Sequence, residues 1–65
     1  MRITLNGEPR ETAADATVAD LLAELEAGDQ VAVEVNEALV PRAQHATHAL
    51  AENDQVEVVR LVGGG

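Results

Sequence analysis

Sixty-five residues with 12 Asp and Glu, 4 basic residues and a net charge of -8 describe one small acidic domain with room for a single core. That charge repels phosphate backbones and argues against nucleic acid, while the absence of Cys rules out disulfides, thiolate metal sites and thiol chemistry by this chain. All 4 basic residues are Arg, so no side-chain amine can form a Schiff base or an isopeptide bond, and with no aromatic residue the core has to be aliphatic.

Met1, Ile3 and Leu5 alternate with Arg2, Thr4 and Asn6, the period of a half-buried strand. This start reads as a strand rather than a targeting segment, and no later apolar run approaches a membrane span, so the cytoplasm is the expected location. Asn6-Gly7 predicts a tight hairpin because both residues tolerate positive φ. A second strand over residues 8–12 folds back from it, at a sheet edge because Pro9 lacks an N–H. Thr17 then predicts a helix N-cap with Asp20 three positions on. Val18, Leu21, Leu22 and Leu25 follow helical spacing on one stripe, and Gly28 is expected to stop the helix.

Val31, Val33 and Val35 predict a third strand ending in an Asn36-Glu37 turn, and Leu39-Val40 a short extended piece before Pro41. Residues 42–51 read as a loop with a short helical turn, anchored by Leu50. Asn53 suits left-handed φ before a final strand from Gln55 or Val56 to Val62. One helix and one mixed sheet can then share an aliphatic core, with the helix across one sheet face and the other face open. Along the last strand Val56 and Val58 should point toward the helix, which leaves Val59 and Leu61 in the outward phase of Glu57. Two aliphatics there form a candidate partner-docking patch.

After that strand come Gly63, Gly64 and Gly65, and the expectation is a flexible tail whose last residue bears the chain's α-carboxylate. Three glycines make a ribbon no wider than backbone, about 10 Å long when extended, able to enter a slot that excludes side chains. Other polar residues suggest less. His45 and His48 have helical metal spacing but no third ligand in register, so they read as solvent-facing loop histidines and no metal site is expected. Arg42 reads as the partner of a local carboxylate, and Asp20, Glu24 and Glu26 as a solvated helix face.

Taken together, Asn6-Gly7-Glu8, Thr17-Val18, Val33-Glu34-Val35-Asn36, Val40-Pro41-Arg42, His45, Asp54-Gln55-Val56-Glu57-Val58-Val59 and the terminal glycines resemble the thiamine-biosynthesis sulfur carrier (ThiS) family over the whole chain. The resemblance implies an α+β, ubiquitin-like β-grasp fold: a mixed four- to five-stranded sheet with one helix across one face, a domain over residues 1–62 and a reactive tail over 63–65. It also implies a carrier and co-substrate rather than an enzyme, with no bound cofactor. A ThiF-like adenylating enzyme would use ATP to activate the Gly65 carboxylate. A sulfur donor such as a cysteine desulfurase persulfide would convert it to a thiocarboxylate, and a ThiG-like thiazole synthase would receive the sulfur. No nucleic acid or membrane is implied. A carrier for molybdopterin or another sulfur-containing product, and a non-reactive interaction module, are the alternatives. The family generally ends in two glycines and has Gly where Asn53 stands, so Gly65 is one residue further out.

Overall fold

The computed structural model describes residues 1–62. Strand β1 (Arg2–Leu5) turns through Asn6 and Gly7, at φ 49° and 84°, into β2 (Glu8–Glu11). Helix α1 (Val18–Leu25) follows, then β3 (Val31–Val35), β4 (Ala38–Val40), a single 3-10 turn (Arg42–Gln44) and β5 (Gln55–Arg60). Both hairpins bend through paired left-handed residues, since Asn36 and Glu37 sit at φ 52° and 71°. That geometry matches the twist of the flanking strands. Asn53, at φ 70°, takes the left-handed conformation expected from its sequence context.

The sheet order is β2-β1-β5-β3-β4, so the last strand in sequence lies in the middle. It runs parallel to β1 and antiparallel to β3. This is the β-grasp arrangement, with five strands, and Pro9 lies on an edge strand as its missing N–H requires. Ile3, Val18, Leu21, Val33 and Val56 are fully buried between α1 and one sheet face, and Leu50 joins the same core. Leu22 and Leu25 are only partly buried at its margin. At this size total stability is only a few kcal/mol, ~0.05–0.15 per residue, so each core aliphatic carries a large share of it.

The segment from His45 to Leu50, read from sequence as a loop, caps the helix. An α-helix begins with orphan N–H groups that must find acceptors. Here the Val18 N–H donates to the His48 carbonyl (3.0 Å) and the Ala19 N–H to the His45 carbonyl (2.9 Å). Thr17 and Asp20 satisfy the other two reciprocally: Thr17 N–H donates to Asp20 Oδ2 at 2.9 Å, and Asp20 N–H to Thr17 Oγ1 at 3.1 Å. No amide in this first turn is left for an anion.

The helix stops earlier than its sequence suggests. Glu26, not Gly28, adopts the terminating left-handed conformation, at φ 52°. Its N–H donates to the Ala23 carbonyl and that of Ala27 to the Leu22 carbonyl, both at 3.1 Å, the paired bonds of a Schellman ending. Gly28 turns the chain again two residues later. An acidic, Cβ-bearing residue is poorly suited to a left-handed position at the negative end of a helix. Glu26→Gly should therefore stabilise the domain by about 0.5–1 kcal/mol, seen as a higher urea midpoint with unchanged slope. A lower midpoint would show that Glu26 makes a compensating interaction.

Candidate docking face and tail base

Strand β5 delivers the chain to its C-terminal residues, and its position is over-determined. Main-chain bonds tie it to β1, with Asn6 N–H donating to the Val56 carbonyl at 2.9 Å. Beyond the end of β1, the Asn6 side chain continues that ladder. Its Oδ1 accepts from the Val58 N–H at 2.8 Å, and its Nδ2 approaches the Val58 carbonyl at 3.4 Å. Asn36 does the same from the other side: Oδ1 accepts from the Gln55 N–H and Nδ2 donates to Asp54 Oδ1, both at 2.9 Å.

Two hairpin asparagines thus serve twice, adopting left-handed φ and clamping the central strand. The sequence offered the first role but not the second, because which strand would lie beside the turns depends on how β5 pairs with β1 and with β3. Past β5, the Leu61 N–H donates to the Gln30 carbonyl at 2.8 Å, so the chain stays tied to the residue preceding β3 as far as Leu61. Gly63, Gly64 and Gly65, the expected tail, lie outside the described residues.

Four large aliphatics are more than half exposed: Leu39 (65%), Val59 (55%), Leu61 (51%) and Val62 (86%). The register puts Val59 opposite Ala32 and Glu57 opposite Glu34, with Leu39 opposite Glu34 on the far side. Because facing residues share a side of the sheet, Ala32, Glu34, Leu39, Glu57 and Val59 lie on the face turned away from α1. Val59 and Leu61 are thus exposed near the end of the described residues, in the outward phase read from the sequence. Leu39 adds another exposed aliphatic to the same face, on the far side of Glu34, which the sequence concealed because β4 is only three residues long and shows no clear alternation.

The remaining candidates occupy structural roles. Arg42 donates to the main-chain carbonyl of Asp29, not to a carboxylate as expected. The His45 ring is half-buried with Nε2 3.0 Å from the Val40 carbonyl, rather than turned to solvent. Both line a groove of about 350 Å³ beside α1, walled mainly by Ala and Leu22. Glu24 holds Arg10 and Thr12, each at 3.3 Å, and Asp20 belongs to the cap. Among the described residues no three His, Cys, Asp or Glu side chains gather as metal ligands, and no helix is long and apolar enough to cross a membrane.

A family model described as the ThiS family matches residues 3–65. The chain belongs to that family. It is similar to the sulfur carrier protein ThiS of Escherichia coli, with 33% identity over 66 residues covering both chains fully. The crystal structure of the thiamine biosynthesis protein ThiS from Geobacter metallireducens superposes with a TM-score of 0.86 at 30% identity, again over the whole of both chains. The similarity to a thiazole synthase of Magnetococcus marinus reaches 47% over 66 residues, but this chain spans only 20% of that protein's length. The ubiquitin-like β-grasp fold and the ThiS assignment agree with the resemblance carried by the sequence motifs.

If Asn6 clamps β5 through its amide, Asn6→Gly keeps the turn's positive φ while deleting the clamp. A loss of about 1 kcal/mol in unfolding free energy, with faster hydrogen exchange at the Val58 amide, is expected. Unchanged exchange at Val58 would show that the side chain contributes nothing to the position of β5.

Proposed function

We propose that this ThiS-family chain carries sulfur in thiamine biosynthesis as a terminal thiocarboxylate formed at Gly65, with residues 1–62 as the docking body and 63–65 as the reactive tail. The observation that carries the reading is the family match extending to residue 65, together with a central strand, Gln55–Arg60, clamped from both sides close to the end of the described residues.

The chemistry follows from the weakness of a carboxylate as an electrophile. Its charge is delocalised and oxide is no leaving group, so an activating enzyme must first spend ATP. One Gly65 carboxylate oxygen attacks the α-phosphorus, pyrophosphate leaves, and the acyl carbon then carries AMP as its leaving group. A persulfide sulfur displaces AMP to give an acyl disulfide with the donor, and a thiol of a partner protein then attacks the donor-side sulfur, forming a disulfide with the donor and releasing the thiocarboxylate. Its sulfur is then a nucleophile for thiazole synthase.

Within this sequence the chain acts as carrier and co-substrate, not catalyst. It has no Cys or Lys to compete for the activated acyl group. One feature supports thiazole synthase as the recipient: the M. marinus protein of that name holds a stretch similar to the whole of this chain. A cytoplasmic location is part of this proposal.

Val59 and Leu61 are proposed to dock on the activating enzyme, where burial would hold the tail in line with ATP. Intact-mass spectrometry after incubation with ATP, a sulfur source and the matching activating enzyme should show a gain of about 16 Da, oxygen replaced by sulfur. Leu61→Glu should slow that gain about tenfold or more while the fold persists. No gain by the parent chain would overturn the carrier reading, and equal rates would remove Leu61 from the docking face.

A further inference from the structure

The open sheet face contains an arrangement that the domain's own stability does not explain. Glu34 and Glu57 are direct cross-strand partners on β3 and β5, both exposed and on the same side of the sheet. Facing positions of this kind place Cβ atoms about 4.5–5.5 Å apart, and like charges there are destabilising.

None of the ion pairs among the described residues relieves this repulsion. Arg2 pairs with Glu11 and Arg10 with Glu24, while Arg42 is bound to a carbonyl. Arg60 lies three residues beyond Glu57 on the same strand, in the opposite phase. The pair is also framed by apolar groups. Leu39 is the neighbour of Glu34 on β4, and Val59 lies two residues beyond Glu57, both more than half exposed.

We infer that Glu34 and Glu57 form a split acceptor for one basic side chain, an arginine, presented by thiazole synthase; this rests on the reading given under Proposed function. A planar guanidinium has N–H donors on two edges, enough to bridge two carboxylates on adjacent strands, and weakly hydrated faces that Leu39 and Val59 can cover. Binding would thus relieve a repulsion that exists only in the free chain. Charge complementarity selects this occupant over a purely apolar one, because burying two unpaired carboxylates against an apolar surface is strongly unfavourable. The net charge of -8 adds attraction at longer range.

The test compares the parent chain, the Glu34→Gln/Glu57→Gln variant and a Glu8→Gln/Asp15→Asn control of equal charge change. Each is titrated against the thiazole synthase of the same organism at low and high salt, and the thermal midpoint of each is measured. The inference expects the first variant to bind about tenfold or more weaker, with a flatter salt dependence, yet to melt at a higher temperature than the parent. The control should bind within about twofold of the parent. Equal affinity of parent and Glu34→Gln/Glu57→Gln, an equal loss in the control, or a lower melting point for the first variant would overturn the inference. An absence of binding by the parent would overturn the partner assignment, and this inference with it.

Discussion

Everything the chain can offer a partner depends on how β5 is held. It is the central strand, paired in parallel with β1 and antiparallel with β3, and the side-chain amides of Asn6 and Asn36 extend those ladders where main-chain pairing stops. A strand fixed on both edges leaves little freedom in the direction from which the chain emerges. In the proposed reading, where residues 63–65 enter another protein's site, such rigidity lowers the ordering cost of binding. The bond from Leu61 to Gln30 carries the constraint to the threshold of the glycines.

A domain this small has few residues to spare for single roles, and several serve two. The carbonyls of His45 and His48 complete the first turn of α1, so an apparently irregular connection finishes the helix on which the core is built. Thr17 and Asp20 close the same end from within. With those donors satisfied and Val18 and Leu21 buried, the docking surface proposed for this chain lies on the other side of the sheet. There the exposed aliphatics are mixed with acidic side chains, as in an interface that must remain soluble when unoccupied.

The sequence made most of this fold legible because its local signals agree with one another. Alternation in β1 and β3, Asn-Gly at the first turn, Pro9 on an edge and the Thr17 cap all act over a few residues, and each was recoverable from the chain alone. The misassigned helix end is a local competition between two candidate terminators, whereas the other hidden features are set by distant pairing. Gly28 was the better helix terminator by intrinsic preference, yet Glu26 takes the role where Leu22 and Ala23 offer their carbonyls. Arg42 turned to a main-chain acceptor, and the Asn6 and Asn36 clamps and the Glu34–Glu57 opposition exist only once β5 is placed between β1 and β3. Val59 and Leu61 were visible as outward-facing because strand alternation alone decides their side.

The central claim is that an unencumbered backbone end at Gly65 is what the activating enzyme accepts. The most direct measurement is ATP–pyrophosphate exchange catalysed by that enzyme, with the native chain and with a chain carrying one tryptophan after Gly65. The native chain should support exchange, and the extended chain, shown intact by mass, should support none above background. Equal exchange by an intact extended chain would contradict the account.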